Sequence, residues 1–161
     1  MNLDQLEQRV SRLEAIEAIR QLKHRYLASC DAKDPVAMRA CFVDGAMHID
    51  YGPVGVFDNA DAVAKIFSEL GCHPHILEMH HGSNPQIEMT SDTTAKASWS
   101  LHYQQINTQT SVLTQLGAVY EDEYLLTAAG WRISRTACRP NSTLVLQLAD
   151  DAIKALVKGK P

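Results

Sequence analysis

Several signatures of common function classes are missing from this chain. There is no Gly-rich phosphate loop, no Walker motif and no Gly-x-Ser-x-Gly elbow, which leaves nucleotide and acyl-transfer chemistry without support. The four cysteines, Cys30, Cys41, Cys72 and Cys138, are widely spaced and include no Cys-x-x-Cys pair. That spacing argues against a structural zinc site and against a disulfide scaffold, so the thiols read as reduced, small, buried side chains. Basic charge is not in excess: 15 Lys and Arg stand against 19 Asp and Glu, scattered along the chain, with a formal net charge of −4. A nucleic-acid partner is therefore not expected. No apolar run approaches membrane-spanning length, and the stretch from Met1 has neither the basic start nor the apolar core of a signal peptide. A soluble cytoplasmic protein with no membrane partner is the expectation.

What remains is 161 residues, 45% of them apolar, enough for one domain with a core of ordinary size. Leu3, Leu6, Val10, Leu13, Ile16, Ile19, Leu22 and Tyr26 recur every three or four residues, which predicts an amphipathic helix over 3–31, continuous or broken near Ser11. Asp34-Pro35 supplies an N-cap and a first-turn proline for a short helix to Cys41. Residues 46–51 alternate as a strand, Gly52-Pro53-Val54-Gly55 turns the chain, and Asn59-Ala60-Asp61 opens a helix that ends at Gly71. The segments 79–89, 94–106, 112–126 and 131–138 are rich in Thr, Val, Ile, Tyr and Trp and read as antiparallel strands. Apolar positions from Leu144 to Val157 predict a C-terminal helix covering a cavity or a neighbouring subunit. Helices gathered early and strands late indicate an α+β fold.

The chemistry-bearing segments are His80-His81-Gly82-Ser83-Asn84 on a strand and Cys30-Asp31 at the end of the first helix. Abstraction of a proton beside a carbonyl needs a base that titrates near ambient pH, which imidazole supplies, and a carboxylate on one ring nitrogen keeps the other free to accept. Tyr26 or Tyr51 could aim a hydroxyl at the oxygen where negative charge develops. Strand parity sets a condition on this reading. His80 and His81 cannot both point inward, and if Ile87 and Met89 face the core, a bulge near Gly82-Ser83 must bring His80 to the same side, unless the sheet is buried on both faces. Cys72-His73-Pro74-His75 fits no familiar metal-ligand spacing and reads as a loop at the cavity rim, so no metal and no cofactor is required.

These elements together, with Tyr26 five residues before Asp31, the strand Met47-His48-Ile49-Asp50-Tyr51, the segment His80 to Glu88 and the late Gly130-Trp131-Arg132-Ile133, resemble the SnoaL-like branch of the nuclear transport factor two-like superfamily. The resemblance spans roughly residues 8 to 140 and implies one domain over 1–161. Scytalone dehydratase, bile acid 7α-dehydratase and hexachlorocyclohexane dehydrochlorinase are the members of similar pattern. The resemblance implies a cone-shaped, curved, mixed or antiparallel sheet wrapped around N-terminal helices, whose cavity holds His80 and Asp31 as a proton-abstracting pair with Tyr26 and Tyr51 beside them. Two departures from the scytalone dehydratase pattern stand out: Cys30 occupies a tyrosine's place, and a second histidine is missing, with Gln115 or Gly117 near its position. Substrate-binding candidates are Cys30, Asn84, His102, Gln115 and Arg139, with His102 facing either the cavity or a subunit interface and Arg139 either holding an anionic group or forming a surface salt bridge.

The function these readings favour is a cofactor-independent, dehydratase-type lyase acting on a hydrophobic, ring-bearing small molecule such as a steroid or polyketide. An isomerase or cyclase of the ketosteroid isomerase kind needs similar residues. A non-catalytic module for small-molecule capture or assembly is the alternative from another class, and an oxygenase a third. A homo-oligomer is expected, as trimer or dimer.

Overall fold

The computed structural model describes residues 2–151 and 153. Asn2 starts the first helix with a reciprocal cap, its side chain accepting from the Gln5 N–H while the Gln5 side chain accepts from Asn2. Helix α1, Leu3–Asp31, then runs unbroken past Ser11. Its apolar stripe has two different fates. Leu3, Leu6, Val10 and Leu13 are exposed, whereas Ile19, Leu22, Tyr26, Leu27 and Cys30 are buried against the sheet. Asp34 caps α2, Pro35–Arg39, by accepting from Ala37, and Asn59 caps α3, Ala60–Leu70, by accepting from Ala62. None of the helices among the described residues is long and apolar enough to cross a membrane.

The strands are β1 Ala46–Asp50, β2 Val56–Asn59, β3 Ile76–Met89, β4 Thr94–Asn107, β5 Val112–Thr127 and β6 Gly130–Gln147. They form one mixed sheet in the order β2-β1-β6-β5-β4-β3, in which β1 runs parallel to β6 and the other neighbours are antiparallel. Strand β2 was not expected, because four residues behind a Gly-Pro turn carry too little alternation to register. The expected C-terminal helix over 144–157 is corrected: Leu144 to Gln147 pair with Gln115 to Val112 as the end of β6, and residues 148–151 are not helical. The helical spacing of the leucines loses to the ladder that long β5 offers a run of Thr, Leu and Val. Of the remaining residues of that segment only residue 153 is described.

The bulge that parity demanded is present in β3. Ser83 pairs with Ser100 and Gln86 with Ser98, so Asn84 and Pro85 on β3 oppose Trp99 alone on β4, and Asn84 takes a left-handed φ of 51°. His80 and Gly82 before the bulge and Ile87 and Met89 after it therefore share the inner face. Gly82 lets α1 approach closely: a Cβ there would lie 2.6 Å from Leu27 Cδ1 and make that side chain shift.

Deep between α1 and the sheet lies a charge pair. Lys23 Nζ is 2.8 Å from Asp122 Oδ2, and both side chains are fully buried. The Tyr124 and Thr136 hydroxyls donate to the same carboxylate at 2.7 and 2.6 Å, and Trp99 Nε1 donates to Tyr124. Lys23 also sits 3.4 Å from the centre of the Tyr120 ring. Burial pulls the ammonium below its ordinary value while Asp122 opposes the shift. Removing one partner leaves an uncompensated buried charge, so Asp122→Ala should cost roughly 3–5 kcal/mol in urea unfolding. A loss below about 1 kcal/mol would mean that the pair is not buried as described.

Candidate active site

Tyr26 and Cys30, four residues apart, share the inner side of the last turns of α1, and Asp31 closes the helix. Strand β3 is a sheet edge, so N–H groups on its free side need acceptors from outside the sheet. Asp31 supplies one. The His80 backbone N–H donates to both carboxylate oxygens at 3.1 and 3.2 Å, and His80 Nδ1 lies 2.7 Å from Asp31 Oδ1. An ionised carboxylate only accepts, so a neutral His80 ring carries its proton on Nδ1 and has its lone pair on Nε2.

His80 lines a cavity of about 470 Å³. Val63, Ile66, Phe67 and Leu70 of α3 form one apolar wall, and Leu101 and Leu116 belong to the sheet side. Tyr26, Tyr51 and Tyr120 also line it, as does Tyr103. The Tyr26 and Tyr51 hydroxyls are 2.7 Å apart, one donating to the other, and the Tyr120 ring meets both edge-on. Burial holds all three phenols well above their ordinary value, so they are neutral donors. Only one proton of the Tyr26 and Tyr51 pair is used within it, which leaves the other for a ligand oxygen.

Cys30 also faces the cavity. Burial, reinforced by the negative charges of Glu78 and Asp31, pushes its thiol up to about 12. It is a small apolar surface and not a nucleophile.

The other four candidates are not at the cavity. Asn84 occupies the bulge, exposed, with its amide 3.4 Å from the Ser100 hydroxyl. His102 and Gln115 fall on the outer face, since Leu101, Tyr103 and Leu116 take the inner positions of β4 and β5; His102 packs edge-on to His81, and Gln115 bonds Gln104. Arg139 pairs with Asp50 and Glu121 at the surface, as a salt bridge. A β-strand offers only alternate residues to one face, and this parity excludes His102 and Gln115 together.

Sequence reasoning missed a polar group beside His80. Glu78 lies two residues before it on the same face of β3, accepts from Tyr103 Oη at 2.6 Å and from Gln105 Nε2 at 3.4 Å, and pairs with Lys33. Tyr103 is the cross-strand neighbour of His80, with ring centres 4.7 Å apart. Burial and Glu78 together drive the Tyr103 phenol upward. The period-two rule applied from His80 backwards would have found Glu78 had the strand been started at Ile76. Among the described residues no group of three or more His, Cys, Asp and Glu side chains is arranged to hold a metal ion. His73 stacks on His75 and bonds the Glu69 carbonyl.

A model of the SnoaL-like domain family matches residues 11–137. Among solved structures, the chain is similar to a candidate scytalone dehydratase from Novosphingobium aromaticivorans DSM 12444, at 21% identity and a TM-score of 0.76 over 93% of this chain and 98% of that one. It is similar to hexachlorocyclohexane dehydrochlorinase LinA-type3 from Novosphingobium barchaimii LL02, at 18% identity and 0.75 over 94% and 99%. It is also similar to a candidate aromatic ring hydroxylase from Novosphingobium aromaticivorans, at 17% identity and 0.74 over 88% and 98%. At these identities the likeness is one of fold. No curated protein matches the chain in sequence.

With its thiol near 12, about one Cys30 in 10,000 is ionised at pH 8. Iodoacetamide treatment followed by mass spectrometry should find Cys30 unmodified in the native protein and alkylated after denaturation. Rapid native alkylation would place it in an open site.

Proposed function

The chain belongs to the SnoaL-like domain family, and from that premise we propose that it is a cofactor-independent lyase performing a dehydratase-type elimination on a hydrophobic, ring-bearing small molecule. One observation carries the reading: His80, with Nδ1 held 2.7 Å from Asp31, lines an apolar cavity beside neutral tyrosine donors. In the proposed reaction His80 Nε2 takes a proton from the carbon next to a carbonyl, and the Tyr51 or Tyr26 hydroxyl binds the oxygen that gains charge. The electron pair of the broken C–H bond becomes the new C=C bond as the C–O bond to the neighbouring hydroxyl breaks. The departing hydroxide takes the proton back from the imidazolium and leaves as water. Asp31 favours that imidazolium while it exists. Each step closes with side chains of this chain alone.

The test is a panel of cyclic β-hydroxyketones, followed by mass spectrometry for loss of water and by NMR in heavy water for exchange of the α-hydrogen. His80→Gln should lower kcat by roughly 10²–10⁴ with little change in KM, and Asp31→Asn should act in the same direction. Exchange without loss of water would favour the isomerase reading. Binding of panel members with neither reaction would leave a capture module. A His80→Gln protein at full rate would remove the proposed base.

We also infer a homo-oligomer, from apolar surface that a small domain seldom leaves bare: Leu3 and Leu13 on α1 and Leu144, Val145 and Leu146 on β6 are 40–69% exposed. Sedimentation equilibrium should return a dimer or trimer mass, and a monomer at micromolar concentration would contradict this.

A further inference from the structure

Between Asp31 and Lys33 the chain leaves α1 and lies along the free edge of β3. Ala32 closes the helix, and Lys33 turns into the left-handed region at φ 59°, an uncommon conformation for a residue with a Cβ, held by its N–H to the Cys30 carbonyl at 3.1 Å. The Lys33 carbonyl in turn accepts from Cys72 Sγ at 3.8 Å, in the loop between α3 and β3. Two side-chain pairs cross from this segment to β3. Asp31 reaches His80, and Lys33 reaches Glu78. Positions 31 and 33 thus oppose 80 and 78 in antiparallel sense, as neighbouring rungs of one ladder.

We propose that Lys33 and Glu78 are a positioning pair for the His80 and Asp31 dyad, a clasp that sets where the end of α1 meets β3 and thereby where the ring of His80 points. The inference rests on the proposed elimination for its kinetic consequence, but not for its structural one. Glu78 is well placed for this role. Its side chain is 10% exposed, its second oxygen takes the Tyr103 hydroxyl, and Tyr103 is the ring packed on His80. Gln105 bonds both Glu78 and Tyr103, so the carboxylate is fixed from β4 and from the helix end. The left-handed turn at Lys33 has a stated function under this reading: it brings the ammonium back over β3, where a continued helix would carry it away. Lys33 also compensates the charge of Glu78, which leaves Asp31 as the carboxylate that answers to His80. Lys33 and Glu78 act through the dyad and need not touch substrate.

The experiment follows the bridging proton itself. The Nδ1–H of a histidine bound to a carboxylate gives a proton NMR signal far downfield of the amides, and it needs no ligand to be seen. In the wild-type chain that signal should be present. Lys33→Met should shift or abolish it and lower kcat in the β-hydroxyketone panel by about 10- to 100-fold, with KM changed less than about threefold. Lys33→Arg should restore both. Glu78→Gln keeps the shape of the side chain and should reproduce the loss should the methionine variant fail to fold. An unchanged signal and unchanged kcat in both variants would overturn the clasp. A panel with no turnover by the wild type would sink the elimination instead, while the NMR signals of the variants would still decide the positioning role.

Discussion

The carboxylate of Asp31 holds the last residue of the first helix to the free edge of the sheet, and the cavity is arranged around that contact. It satisfies the His80 N–H that the edge strand leaves unpaired and fixes the imidazole by its Nδ1. One carboxylate therefore answers both the backbone and the ring of the same residue. A carboxylate at a helix C-terminus faces the negative end of the helix dipole, an unfavourable place for it on its own. Three N–H contacts from His80 offset this cost.

Helix α1 is anchored at two depths. Lys23 and Asp122 tie its middle to β5 in the core, where Tyr124, Thr136 and Trp99 complete the polar network. Asp31 ties its end to β3. Between these anchors lie Tyr26 and Cys30, so both side chains enter the cavity from a stretch of helix held at either end. Tyr26, Tyr51 and Tyr120 keep their protons through burial, and α3 gives the same space an apolar wall. Under the proposed reaction, charge developing on a bound oxygen would meet hydroxyls already oriented by packing.

Much of this was legible in the residues. The helix caps at Asp34 and Asn59 were local signals, and the bulge in β3 followed from parity, because His80 and Ile87 cannot share a face without one extra residue. The encounter of His80 with Asp31 came from resemblance and not from any local pattern. What escaped was non-local. Lys23 sits on a helix as one polar residue among many, and its partner is 99 positions away. Glu78 stood just outside the expected strand, so its parity with His80 went unread. His102 and Gln115 were plausible by composition and excluded by which side of their strands they occupy. The leucines after 143 satisfied a helical period and a strand alike, and pairing with β5 decided between them.

The central claim is that Asp31 holds His80 in the one tautomer that leaves Nε2 free at the cavity. A ¹⁵N–¹H NMR correlation of the histidine rings at neutral pH measures it directly. The account predicts a His80 ring with its proton on Nδ1, bare Nε2, and loss of that pattern in Asp31→Asn. A ring protonated on Nε2, or one exchanging freely between the two tautomers in the wild-type protein, would contradict it.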